Sequence, residues 1–267
     1  MGLLVPAMAI LGLVAGTLGG MLGVGGSVIM IPALTVLITP NQHVYQAAAM
    51  IANVAVAVPA ARRHLRAGAV VPQAFRWMLP ATLVFILVGV FLSALPVFAG
   101  DTGEMWLRRL FALFLVWVIV QNVQKLLRKQ PENDPSQWKI TPGRSLGVGV
   151  VMGTMAGLLG IGGGAASVPM QQRILHIPLR NCIGTSAAVI CLTAGFGALY
   201  KNWTLIQRDD QYQSLQASLI LAIAMAPTCV VGGHFGGHLT HRLPVKQVRV
   251  IFIGLMVLGA VRMAEFP

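Results

Sequence analysis

Apolar residues run through this chain in long, nearly unbroken blocks, and the polar positions fall between the blocks rather than within them. The blocks cover residues 3–39, 46–61, 74–95 and 107–127, then 146–176, 182–200, 215–235 and 250–264. A helix needs about 20 apolar residues to cross some 30 Å of hydrocarbon, and most of these blocks come near that length. The pattern predicts an all-α polytopic membrane protein. Two blocks, 3–39 and 146–176, are too long for one ordinary span. Glycines interrupt both in the middle, where they make a poor helix.

The two interruptions are copies of one another. Gly16, Thr17, Gly20, Leu22, Gly23, Gly25, Gly26 and Pro32 return without a gap as Gly153, Thr154, Gly157, Leu159, Gly160, Gly162, Gly163 and Pro169. A repeat this faithful divides the chain into two related halves and marks the place where they share a task. The expected organisation is a first membrane half over 1–129, a polar cytoplasmic linker over 130–142, and a second membrane half over 143–267. Each half consists of a glycine-broken helical hairpin followed by three transmembrane helices.

Charge fixes the expected topology. The chain has 19 Lys and Arg against 7 Asp and Glu, a net charge of +12, while charged residues make up only 10% of it and mean hydropathy is +0.77. In a soluble protein that balance would suggest nucleic acid. Here the basic residues sit in short connections beside apolar spans, so the positive-inside bias accounts for them and no nucleic-acid partner is expected. If each broken block crossed the bilayer once, the basic connections of one half would fall on the wrong face. If each enters and returns as a hairpin, residues 62–76, 125–144, 173–180 and 238–249 all share the cytoplasmic face. Both termini then lie outside. A hairpin plus three crossings is an odd count, so the second half is inverted relative to the first. A multi-pass protein of the inner membrane follows, with the lipid bilayer as its main partner. The uniformly apolar surface leaves a homo-oligomer open and names no interface for it.

Chemistry is sparse within the apolar blocks. All seven carboxylates (Asp101, Glu104, Glu132, Asp134, Asp209, Asp210 and Glu265) are expected in connections or at an end. That leaves no intramembrane acid for proton relay or cation binding. Cys182, Cys191 and Cys229 have no zinc or disulfide spacing. His234, His238 and His241 lack an evident third ligand, so neither metal nor cofactor is expected. Arg62, Arg63, Arg173 and Lys201 read as snorkelling side chains.

What remains is the glycine tips. In Gly23–Val–Gly25–Gly26–Ser27 and Gly160–Ile–Gly162–Gly163–Gly164, glycine permits a sharp reversal at membrane depth. The helices that restart there present free N–H groups and the positive end of a helix dipole. Two such ends meeting from opposite faces make a pocket for a small anion. Thr185 and Ser186, which open the helix after the second hairpin, and Asn53, isolated in an apolar stretch, are the polar side chains expected to join it. Ala48 and Ala49 stand at the corresponding places of the first half, so the pocket is expected to be asymmetric.

The paired Leu-Gly-Val-Gly-Gly and Leu-Gly-Ile-Gly-Gly-Gly signatures, each followed by proline, with Gly-Thr-Ser on the next helix, resemble the sulfite exporter TauE/SafE family over nearly the whole chain. The resemblance implies a permease, not an enzyme, whose partner is sulfite or another small sulfur-containing or organic anion. Alternating access around the two tips is the mechanism that fits. An anion-selective channel, or a non-transporting membrane partner of a sulfur-metabolism enzyme, is the rival reading.

Overall fold

The computed structural model describes residues 4–38, 41–127, 138–207 and 211–264. Within them the chain forms ten α-helices and no strand. These are α1 (Leu4–Leu22), α2 (Ser27–Leu37), α3 (Gln42–Arg66), α4 (Pro72–Ser93), α5 (Gly100–Leu127), α6 (Pro142–Leu159), α7 (Gly164–Met170), α8 (Leu179–Ile206), α9 (Gln211–Arg242) and α10 (Val245–Ala264). Helices α1, α3, α4, α8 and α9 are long and apolar enough to span a membrane. The same order, a long arm, a glycine break, a short arm and three further helices, occurs twice.

The hairpin arms are unequal. With about 1.5 Å of rise per residue, the 19 residues of α1 extend about 28 Å and the 11 of α2 about 16 Å. In the second hairpin the 18-residue α6 is followed by the short α7, which runs on into a π-helical stretch, Gln171–Leu175. One arm of each hairpin therefore matches a bilayer and the other about half of one.

Glycine lets the long arms pack backbone against backbone. A Cβ placed on Gly12, Gly16 or Gly20 of α1 would come within 2.7–2.8 Å of the carbonyls of Met225, Cys229 and Gly233 on α9. The numbers on the two helices advance together, so α1 and α9 are parallel. Gly149 and Gly153 of α6 make the corresponding approach to Met78 and Thr82 of α4, at 2.6 and 2.7 Å. Helix α3 lies parallel to α9, with Val56 against Gly233 and Ala60 against Gly237. It is antiparallel to α8: Gly184, near the start of α8, sits against Ala69, just past the end of α3, while Lys201 near the end of α8 meets His43 at the start of α3. Helix α8 in turn is parallel to α4, with Gly197 against Ile86 and Lys201 against Ser93. Helices α1, α3 and α9 thus run one way, and α4, α6 and α8 the other.

These directions gather the basic residues. Arg62, Arg63 and Arg66 close α3, Arg242 closes α9, and Arg76, Arg144 and Arg180 lie in the first turns of α4, α6 and α8, all at one end of the bundle. At the other end Glu104 pairs with Arg108 at 3.3 Å and accepts the first N–H of α3, from Gln42, at 3.0 Å. A carboxylate against a helix N-terminus is favourably placed.

Several boundaries differ from the sequence reading. Helix α5 starts at Gly100, so Asp101 and Glu104 belong to a helix rather than a loop. Residues 238–249 are mostly helical, because α9 extends to Arg242 and α10 begins at Val245. Apolar blocks mark the hydrocarbon-facing part of a helix, and polar end turns continue beyond them. Glu132, Asp134, Asp209, Asp210 and Glu265, and most of the expected linker, lie outside the described residues.

Candidate functional site

Each tip is built on glycines in the left-handed region, where a side chain would be strained: Gly23 (φ 63°) and Gly25 (77°) in the first, Gly160 (72°), Gly162 (71°) and Gly163 (74°) in the second. Gly26, the counterpart of Gly163, has ordinary right-handed geometry. Every residue of both tips is buried.

The tips touch. Gly164, which opens α7, packs on the backbone of Gly23 and Val24, where a Cβ would collide with both. Each tip also rests on the central helix of the other half. Gly23 approaches the Ile183 carbonyl on α8, and Gly160 approaches Gln46 on α3. In the register that pairs Gly16 with Gly153, Gln46 pairs with Ile183, so these two contacts are repeats of one another.

Asn53 lies between the tips. Its Oδ1 accepts the Ser27 backbone N–H at 3.1 Å, and its Nδ2 donates to Ser27 Oγ at 2.9 Å. The side chain therefore caps the first turn of α2 from another helix. A Cβ on Gly25 would fall 2.7 Å from Asn53 Oδ1, and one on Gly162 would fall 2.7 Å from Asn53 Nδ2. Glycine is required on both sides of this one amide.

The second tip is furnished differently. No side chain among the described residues caps the start of α7. In register, Ser27 becomes Gly164 and Asn53 becomes Ile190, so the polar pair of the first tip has no copy. Helix α8 instead brings Thr185 and Ser186. Thr185 Oγ1 accepts the N–H of Val71, the residue just before α4, at 3.0 Å. Ser186 is fully buried and its hydroxyl has no partner among the described residues. It lies one turn along α8 from Ile183, which meets Gly23, and one turn before Ile190.

Gln46 and Gln171, which were not among the expected site residues, are also fully buried near the tips. Gln46 Nε2 donates to the Leu158 carbonyl at 3.4 Å, and Gln171 Nε2 donates to Ser167 Oγ at 2.7 Å and the Cys182 carbonyl at 3.3 Å. A signal for Gln46 exists in the repeat: its counterpart is Ile183, and a glutamine replacing isoleucine in a buried helix calls for a reason.

Lys201 corrects the sequence reading. It does not snorkel. It is 1% exposed, with Nζ 2.8 Å from Ser93 Oγ and 3.1 Å from His43 Nδ1. His43 Nε2 faces the Phe98 carbonyl at 2.9 Å and must carry the proton there, so Nδ1 accepts from the lysine. Its counterpart in register is His64, also fully buried, at the other end of the bundle. His64 meets the Gly20 carbonyl at 3.2 Å and His241 at 3.0 Å. Arg173, by contrast, is exposed and reaches Gln121.

Comparison with known proteins agrees with this architecture. The family described as Sulfite exporter TauE/SafE matches residues 8–263. The chain is 25% identical to the probable membrane transporter protein MamO of Magnetospirillum gryphiswaldense, over 96% of its own length. It spans only 44% of the length of that protein and of its Paramagnetospirillum magneticum relative, to which it is 24% identical. A probable membrane transporter protein of Haemophilus influenzae is 24% identical, with 95% of this chain and 96% of that one covered. No solved structure matches.

Proposed function

The chain belongs to the sulfite exporter TauE/SafE family, and from that premise we propose that this membrane transporter exports sulfite or a related sulfur oxyanion or organosulfonate. Transport proceeds by alternating access of two inverted halves around the glycine tips. The observation that carries this reading is the meeting of two helix starts, α2 and α7, at one buried level beside Asn53. Asn53 caps the first start, its counterpart at the second is Ile190, and Ser186 supplies a buried hydroxyl without a partner among the described residues. A compact oxyanion suits converging N–H and O–H donors of this kind.

Opposed helix directions support the inversion: α1, α3 and α9 run against α6, α8 and α4, their counterparts. The gathering of arginines at one end supports a cytoplasmic placement of that end, with both termini outside. Gly23, Gly25, Gly26, Ser27, Asn53, Gly160, Gly162, Gly163, Gly164 and Ser186 form the binding layer, and Thr185 holds it in place. An inside-negative potential favours outward anion movement by about 2.3 kcal/mol per charge per 100 mV. Export then needs no coupled ion.

The test is radiolabelled sulfite flux in proteoliposomes of the purified protein, with and without an imposed potential. Saturable, potential-sensitive flux that sulfoacetate or thiosulfate competes is the expected outcome, and Gly163→Leu should abolish it. Flux linear in concentration would mean a channel. Absence of any anion flux from folded protein would leave the glycine tips as packing alone and overturn the proposal.

A further inference from the structure

The C-terminal half of α3 and the facing part of α9 enclose an open cleft of about 410 Å³ on the outer surface of the bundle. Its walls are apolar along Val54, Val58, Pro59 and Val230, and it ends in Arg62, Arg63 and Arg66. From Val54 to Arg66 the helix rises about 18 Å, close to the thickness of one hydrocarbon leaflet. The apolar part begins beside Asn53, at the level of the tips, and the arginines sit at the basic end. Val58 and Val230 are 43% and 46% exposed, which places them on the lipid-facing surface.

Arg63 is fixed across the cleft. Its Nη2 lies 2.6 Å from His234 Nε2 across the cleft, while its Nε is buried and has no partner among the described residues. Arg62 and Arg66 are exposed on either side of it. Three guanidinium groups within two turns, with no acid lining the cleft, suit a phosphate group.

The repeat supplies a comparison within the same molecule. A second open cleft, of about 490 Å³, lies between α8 and α4 at the opposite end. In register Arg63 becomes Tyr200 and Arg66 becomes Trp203, whose rings stack at 5.8 Å. One cleft thus carries guanidinium groups where its counterpart carries the aromatic pair usual at a membrane interface. The positive-inside bias puts cations at this end and not the other; the cleft adds an apolar wall that leads directly to three of them.

We propose that the α3–α9 cleft binds one acidic phospholipid, its phosphate on Arg62, Arg63 and Arg66 and an acyl chain along Val54, Val58 and Val230. The proposal depends on the membrane placement of the bundle and not on which anion is transported, so either reading can fail without the other.

The experiment is native mass spectrometry of the purified full chain with phosphatidylglycerol or phosphatidylcholine of identical acyl chains, beside thermal unfolding with each lipid. One phosphatidylglycerol per chain should be retained, and phosphatidylcholine should bind roughly tenfold or more weakly. Arg62→Gln with Arg66→Gln should lose that preference. Lys139→Gln with Arg144→Gln, which removes the same charge from exposed positions at the same end, should keep it. Val58→Trp, which fills the cleft from a lipid-facing position and leaves the charges alone, should also displace the lipid. Equal binding of the two lipids, equal loss in both charge variants, or full retention in Val58→Trp would each overturn the proposal.

Discussion

The two glycine tips come from one repeated stretch, yet the chain treats them differently. At the first, Asn53 spans to Ser27 and satisfies the opening N–H of α2 from within the protein. At the second, the counterparts are Gly164 and Ile190, which carry no polar side chain, and on α8 the hydroxyl of Ser186 is buried without a partner among the described residues. A buried polar group left unmatched costs about 1–3 kcal/mol, and under the proposed function the transported anion makes up that loss at the Ser186 hydroxyl. The first tip is built to hold shape. The second, on the proposed function, is completed by the anion.

Asn53→Asp breaks this comparison most sharply. The carboxylate keeps the acceptor for Ser27 N–H, and Ser27 Oγ can turn to donate to its second oxygen. A negative charge at the start of α2 is also favourable to the helix. The hairpin should therefore still fold, with Tm lowered by the cost of burying a carboxylate at this depth. A bound anion would meet a new negative charge at close range, worth about 4 kcal/mol at an effective dielectric of 20. Sulfite flux should fall by roughly a hundredfold or more. Unchanged flux in the proteoliposome assay would mean that no anion approaches this amide.

Much of this arrangement is legible in the sequence, because its causes are local. Glycines that need positive φ, the repeat that doubles them, and arginines gathered near the edges of the apolar blocks are properties of the chain itself. The hairpin reading rests on charge alone. What the sequence hides is partnership across space. Asn53 and Ser27 are far apart in the chain, and nothing local says that one caps the other. Lys201 reads as an ordinary interfacial lysine because its partners, Ser93 and His43, come from two helices of the other half. Thr185 and Ser186 are neighbours of similar chemistry, yet a helix turns adjacent residues by about 100°, so they face different surroundings.

Ser186→Ala sharpens the contrast at the second tip. Removing a buried hydroxyl that has no partner among the described residues should leave Tm unchanged or raise it, because an unmet donor is lost. If that hydroxyl donates to the transported anion, the apparent KM for sulfite should rise by about tenfold, the value of one hydrogen bond to a charged group. Flux measured over a range of sulfite concentrations separates this from a loss of turnover. A fall in Tm with unaltered KM would assign Ser186 to packing.

Thr185→Val is the smallest of the three effects and the complement of the last. The valine keeps the shape of threonine and removes the oxygen that accepts the Val71 N–H at the start of α4. Leaving that buried N–H without an acceptor costs about 1–3 kcal/mol, which should appear as a few degrees in Tm. The apparent KM should stay within about twofold, because this hydroxyl is committed to the Val71 N–H. The pair of adjacent hydroxyls then divides cleanly, one affecting stability and the other affinity. If Thr185→Val instead shifts KM as much as Ser186→Ala does, both belong to one binding surface. In that event the second tip extends toward the basic end of the bundle, and the anion enters its site along α8.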